Sequence, residues 1–214
     1  MVNGEWCPLP ICMVFVPMPK TIQKMNTKKI ALITGGSRGL GRNMAIAIAK
    51  KGLDVVITYN ANLEAANEVI QEINALGQEA KAFQLDTSNV RQFDKFIEEL
   101  TGYLKKKYNS PNFDFLINNA GTALYAPVAD VTEKQLDDMF NIHFKGVFFL
   151  TQKALPFINN GGGIVNISSG LTRISMPGSS VYASAKTAVE TLTRYLQKNS
   201  AKEKSAQTLL HPAP

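Results

Sequence analysis

Tyr182 and Lys186, in Tyr182-Ala183-Ser184-Ala185-Lys186, are the pair whose types and spacing suggest a reaction. On a helix, residues four apart share a face, so the phenol and the ammonium are neighbours. A free phenol has a pKa near 10, too high for proton transfer at neutral pH. An ammonium about 4 Å away at an effective dielectric of ~20 contributes roughly 4 kcal/mol, about three units of pKa. The positive end of the helix dipole pushes the same way. Such a phenol could give a proton to a carbonyl oxygen as hydride reaches the carbon. Ser169, thirteen positions earlier and just past an apolar run, could hydrogen-bond that oxygen. A Tyr-x-x-x-Lys pair alone is ordinary surface chemistry, so its meaning depends on its surroundings.

Those surroundings include a glycine-rich turn, Thr34-Gly35-Gly36-Ser37-Arg38-Gly39-Leu40-Gly41. The apolar run Ile30-Ala31-Leu32-Ile33 leads into it, and a helical pattern, Arg42 to Lys50, leads out. Glycines there allow a tight turn and a close phosphate approach. Unpaired N–H groups at the helix start carry the positive end of its dipole and suit a pyrophosphate. The flanking strand and helix make this reading stronger than a plain glycine turn would.

Positioning these groups requires alternating strands and helices. Strands are expected at Asp54 to Tyr59, Ala80 to Leu85, Phe113 to Ile117 and Gly163 to Ser168. Helices are expected at 62–76, 89–108, about Glu133 to Phe157 with an end near Pro156, and 182–198. Alternation of this kind predicts an α/β fold, a Rossmann-type doubly wound parallel sheet. Ligands of such sheets lie outside the carboxyl ends of the strands. Ser37, Arg38, Tyr59, Asn60, Asp86, Asn119 and Ser169 all fall at that rim.

Composition narrows the classes. The chain has 214 residues, 45% of them hydrophobic, enough for one domain with a sizeable core. The net charge of +6 is uneven: residues 1–53 hold eight Lys/Arg and one acid, Glu5. No basic helix face or aromatic stacking pattern accompanies it, which argues against nucleic-acid binding. Both cysteines, Cys7 and Cys12, precede the core, so no disulfide framework is expected, which suits a cytoplasmic protein. No apolar run has transmembrane length, and no metal site is expected.

The second expected strand ends in Tyr59 and Asn60, with no acid until Glu64. An acid there would suit the free ribose 2′-OH of NAD. Arg38, in the glycine turn, can instead meet a 2′-phosphate. NADP(H) is therefore expected over NAD(H).

With these residues in place, the sequence resembles the short-chain dehydrogenase/reductases, in particular the group that includes 3-oxoacyl-carrier-protein reductases. The turn from Thr34 to Gly41, Asp86, Asn118-Asn119-Ala120-Gly121, and Ser169, Tyr182 and Lys186 match its motifs in order and spacing over residues 28–198. The resemblance implies reversible hydride transfer between NADP(H) and a carbonyl or secondary alcohol, such as a 3-oxoacyl thioester or another ketone. It implies a catalytic set of Ser169, Tyr182 and Lys186, with Lys186 also on the nicotinamide ribose. It implies a cofactor site of Gly35, Ser37, Arg38, Gly39, Leu40, Gly41, Tyr59, Asn60, Asp86, Thr87, Asn119, Ala120, Gly121, Tyr182 and Lys186, with Asp86 at the adenine ring.

The chain departs from the pattern in two places. Where the family often has an Asn that holds a proton-relaying water, this chain has His143. Imidazole can donate and accept, so His143 could serve the relay; it could equally be a packing residue. The second departure is at the C-terminus, where residues 199–214 do not read as the family's next strand. Suitable synonymous codons for Lys198 to Pro214 spell a family-like continuation in a neighbouring frame, so a frameshifted end is one expectation. The expected organisation is a disordered extension over 1–24, with Met25 as the natural start, an NADP-binding Rossmann-type domain over 25–198, and an aberrant tail over 199–214. That would leave the strand at 163–168 as a bare sheet edge and the family's usual homo-oligomer in doubt. The rival to an active reductase is a catalytically impaired nucleotide-binding remnant or interaction protein.

Overall fold

Alternation of buried side chains about a parallel sheet organises the chain. The computed structural model describes residues 13–17 and 28–202. In chain order these form β1 (Met13–Pro17), β2 (Ile30–Ile33), α1 (Gly39–Ala49), β3 (Asp54–Tyr59), α2 (Leu63–Ala75), β4 (Ala80–Gln84), α3 (Phe93–Tyr108), β5 (Phe113–Asn118), α4 (Glu133–Phe140), α5 (Gly146–Ala154), β6 (Ile158–Ile167) and α6 (Ser180–Lys202). The sheet order is β1-β6-β5-β2-β3-β4, parallel throughout except for β1. This is the expected Rossmann-type arrangement. From β2 the chain winds one way to β3 and β4, then returns to the other side for β5 and β6. The crevice between β2 and β5 is thus the topological switch point.

Period-two alternation splits the core. Ala31, Ile33, Val55 and Ile57 face α1 and α2, packing on Ala45, Ala49, Ala66, Val69 and Ile73. Ile30, Leu32, Val56 and Leu116 face the other way, onto Phe93, Phe96, Leu100, Leu104 and Leu150. Local signals set the ends of the helices. The Asn62 side chain accepts from Ala65 N–H, and Thr132 with Gln135 forms a capping box. Asn109, in the left-handed region at φ 57°, ends α3.

Three elements differ from expectation. The helix expected from Glu133 to Phe157 does end in a turn around Pro156, but Asn141–Lys145 is a π-helical segment between α4 and α5. Gly146 sits so close to the loop after β4 that a Cβ there would lie 2.0 Å from the Thr87 carbonyl oxygen. The wider turn keeps that contact while directing His143 inward. Strand β6 begins at Ile158 rather than Gly163. Phe113 pairs with Ile158 and Phe115 with Gly163, so residues 159–162 form a bulge. Gly162 fits against the Asp114 carbonyl at a spot where a Cβ would come within 2.0 Å.

The third difference is at the N-terminus. Met13–Pro17, within the stretch expected to be disordered, pairs antiparallel with β6 from Met13↔Ile167 to Pro17↔Gly163. Val16 is fully buried in the α3/α5 side of the core. Hence β6 is covered, not a bare edge. Proline-interrupted sequence hid a five-residue strand whose partner groups come from the far end of the chain. The rest of the expected extension, 1–12 and 18–24, lies outside the described residues. So does 203–214 of the expected tail, while its first residues, to Lys202, continue α6. Among the described residues, no helix is long and apolar enough to cross a membrane.

If β1 packs as described, Val16→Ala removes two buried methyl groups and lowers stability by about 2 kcal/mol. A urea denaturation midpoint is the check; a solvated strand would show no change.

Candidate active site

The glycine turn is held from both sides. Gly36 N–H donates to the Thr58 carbonyl at 2.8 Å and Gly35 N–H to Thr58 Oγ1 at 3.2 Å. From β5, Asn119 N–H and Ala120 N–H donate to Thr34 Oγ1 at 2.9 and 3.0 Å. Asn119 Nδ2 donates to the carbonyls of Thr34 and Gly35 at 2.9 and 3.2 Å. Gly41 packs α1 onto this turn: a Cβ there would lie 2.2 Å from the Gly35 oxygen. Gly39, at φ +55°, takes the left-handed conformation and has open space where a Cβ would be. Arg38 is the N-cap of α1 and makes no side-chain cap bond. The helix therefore presents uncapped N–H groups to a groove of about 560 Å³.

Of the fifteen residues expected to hold the cofactor, thirteen line that groove, and Tyr182 and Lys186 line the adjoining cavity. Gly35, Ser37, Arg38, Gly39, Leu40 and Gly41 form its floor beneath the helix start. Tyr59 and Asn60 line the same groove as Arg38, and no carboxylate stands at the end of β3. Asp86 and Thr87 form a wall; Asp86 Oδ1 also accepts from Ser88 N–H and Oγ–H at 2.9 and 2.7 Å. Asn119, Ala120 and Gly121 form the opposite wall.

A second cavity of about 390 Å³ adjoins the first, sharing Leu40, Asn119, Gly121 and Thr122 with it. His143, Ser169, Tyr182 and Lys186 all line it, so the four expected catalytic residues stand together. Ser169 follows β6 and begins a short 3₁₀ turn, its Oγ accepting from Leu171 N–H at 3.2 Å. Its hydroxyl hydrogen-bonds Tyr182. Lys186 Nζ donates to the Ile167 carbonyl at 2.8 Å and lies 5.7 Å from the centre of the Tyr182 ring. The His143 ring meets the Tyr182 ring edge-on at 5.0 Å.

The electrostatics correct one expectation. Burial pushes the Tyr182 phenol above its ordinary value, and only the Ser169 hydrogen bond pulls it back. The Lys186 ammonium faces the Ile167 carbonyl and the phenol ring, and burial brings its own pKa down to about 8. Desolvation of the phenolate sets the direction of the shift. His143 is pushed down to about 3, first by burial and then by the Lys186 charge, so its imidazole is neutral at pH 7.

Thr122 was not singled out from sequence, and Asn118 was quoted only within the Asn118–Gly121 motif, with no partners assigned. Thr122 holds His143 through its backbone: its carbonyl lies 2.8 Å from Nε2 and its N–H 3.3 Å. Backbone partners leave no trace in residue type. Asn118 lies under the site, donating to Asn166 Oδ1 and Thr151 Oγ1 at 2.8 and 3.0 Å. Its pairing depends on residues 33 and 48 positions away, beyond any local pattern.

The short chain dehydrogenase family profile matches residues 29–213. The hydroxynaphthalene reductase-like protein Arp2 of Metarhizium robertsii is 36% identical over 169 residues, 78% of this chain and 61% of that protein. A short chain dehydrogenase of Claviceps purpurea is 33% identical over 185 residues, 86% of this chain and 68% of that protein. The chain thus spans about three-fifths of the length of the first of these curated relatives. Among solved structures, the angucycline C-6 ketoreductase LanV with bound NADP superposes with a TM-score of 0.79 at 31% identity, covering 83% of this chain and 69% of that one. A Burkholderia cenocepacia short chain dehydrogenase in complex with NADP gives 0.73 at 31% identity, covering 82% and 70%. Fold, site motifs and family profile agree, and the chain belongs to the short chain dehydrogenase family.

Proposed function

We propose that this protein is an NADP(H)-dependent carbonyl reductase acting in the cytoplasm on a ketone. The observation that carries this reading is the Ser169–Tyr182–Lys186 cluster, set in a cavity that opens onto the groove above the glycine turn. The groove suits a dinucleotide phosphate. Uncapped N–H groups of α1 and the open space at Gly39 would receive the pyrophosphate. Arg38, lining the same groove as Asn60, would meet the 2′-phosphate. The NADP-bound relatives support the same choice. When bound, the nicotinamide supplies hydride to a carbonyl carbon.

The chain supplies the proton and the orientation. Ser169 and Tyr182 together would hold the carbonyl oxygen. The raised pKa of Tyr182 keeps its phenol protonated at neutral pH, the form needed to donate to that oxygen. The reverse reaction starts from the phenolate. Lys186, charged below about pH 8, would stabilise the phenolate left after donation. Ala123, Leu124 and Leu171 give the second cavity apolar walls, which favour a ring ketone over a 3-oxoacyl thioester. The names of the Arp2 and LanV relatives point the same way.

His143 serves as a neutral acceptor in this scheme. With Nε2–H donating to the Thr122 carbonyl, Nδ1 keeps its lone pair, and among the described residues it is buried with no partner. A proton-carrying water could bind there beside Lys186. Gly121 makes room, since a Cβ on it would sit 2.6 Å from His143 Cε1.

Tyr182→Phe lowers kcat for NADPH-driven ketone reduction by about 10²–10⁴-fold, while NADPH affinity by fluorescence titration stays the same. Wild-type binding without NADPH oxidation across a ketone screen would instead favour the impaired remnant. Arg38→Glu weakens NADPH by more than tenfold relative to NADH, read from the two Michaelis constants; an unchanged ratio ends the 2′-phosphate assignment. The third outcome concerns acid stability. His143 binds a proton near pH 6.5 when unfolded but only near 3 when folded, so its contribution is complete above 6.5 and is lost as pH falls towards 3. Over that window wild type loses about 1.4 kcal/mol per pH unit relative to His143→Asn, measured by urea midpoints at several pH values.

A further inference from the structure

One carboxylate beside the site has no part in the scheme above. Glu190 lies one turn beyond Lys186 on α6, and Ser168 Oγ–H donates to its Oε1 at 2.6 Å. That length is typical of a hydroxyl bonded to an ionised carboxylate. Thr172 Oγ1 lies 3.0 Å from the same Oε1 and 2.8 Å from the Ser169 carbonyl oxygen. The single proton of Thr172 is therefore shared between Ser169 and Glu190. Ser168 and Thr172 are the two hydroxyl residues flanking the turn on which Ser169 sits.

We propose that Glu190 is a positioning residue for Ser169, clamping both ends of the 169–172 turn so that the Ser169 hydroxyl points at Tyr182 and the substrate carbonyl. It touches neither substrate nor cofactor groove. The clamp acts through geometry: Ser169 Oγ already accepts from Leu171 N–H at 3.2 Å, which leaves its own proton to be directed at the phenol. That arrangement lasts only while Leu171 stays above Ser169. The backbone bond from Thr172 is one fastener, and the carboxylate is the other. Remove Oε1, and Ser168, only 4% exposed, loses the acceptor for its hydroxyl, while the Thr172 hydroxyl keeps only its bond to the Ser169 carbonyl. Loss of either fastener moves the Ser169 hydroxyl while leaving the glycine turn, on the far side of β5, untouched.

This inference rests on the reductase reading, and the test separates the two. In the full chain, Glu190→Ala lowers kcat for ketone reduction by roughly 10–100-fold, the scale of an ångström-sized misplacement. NADPH affinity stays within about twofold, because no groove residue has moved. Glu190→Gln, whose amide oxygen can accept from both hydroxyls, recovers most of the rate. A kcat for Glu190→Ala within about twofold of wild type overturns the assignment, as does a proportional loss of NADPH affinity. A second readout does not need turnover. With ¹³Cζ-labelled tyrosine, and Tyr182→Phe to assign the signal, the Tyr182 titration midpoint rises in Glu190→Ala as the Ser169 hydrogen bond is lost, and returns in Glu190→Gln. An unmoved midpoint in the alanine variant refutes the clamp. If wild type reduces no ketone, the reductase reading fails, and the tyrosine titration still decides the role of Glu190.

Discussion

The site depends on a seam of hydrogen bonds between the end of β6 and one face of α6. Four successive residues, 166 to 169, each bond to the helix. Asn166 donates to Thr193, the Ile167 carbonyl accepts from Lys186, Ser168 donates to Glu190, and Ser169 meets Tyr182. The helix partners, at 182, 186, 190 and 193, follow the three- and four-residue spacing that puts side chains on one face. The side chains at 166 and 168 share a face, Ile167 contributes through its backbone carbonyl, and Ser169 lies past the strand at the start of the 3₁₀ turn. The seam fixes the rotation and depth of α6 against the sheet, and so fixes where the phenol stands. Asn118 extends it one strand further, through Asn166 to β5.

Buried charge explains the rest of the site's character. Lys186 is 4% exposed and keeps its proton only to about pH 8, and His143 is 1% exposed and stays neutral. Each group's burial disfavours its charged form, and the Lys186 charge further disfavours a charged His143. The result is one cation, one neutral acceptor and one neutral phenol within one small cavity. An isolated cation-and-phenol pair would suggest a permanently acidified tyrosine. The packed site holds the phenol in its neutral form.

Much of this was legible in the sequence, for physical reasons. The glycine turn, the rim residues Arg38, Tyr59 and Asn60, and the Tyr–Lys spacing follow from local geometry, which residue type and period report directly. The alternating strands likewise came through as apolar runs. What stayed hidden is non-local. The β1 strand exists only because β6, some 150 residues later, offers it a partner. Neither the π-helical turn at 141–145 nor the close approach of Gly146 to Thr87 is encoded in a helical period. The Tyr182 phenol moved opposite to expectation because spacing gives distance along a helix, but not how much water the fold removes.

The antiparallel pairing of β1 has a further meaning for sheet growth. A strand has two hydrogen-bonding margins, and those of β6 between Gly163 and Ile167 are taken by β5 on one side and β1 on the other. Occupancy there is exclusive: a segment following α6 could join the sheet at this place only by evicting Met13–Pro17.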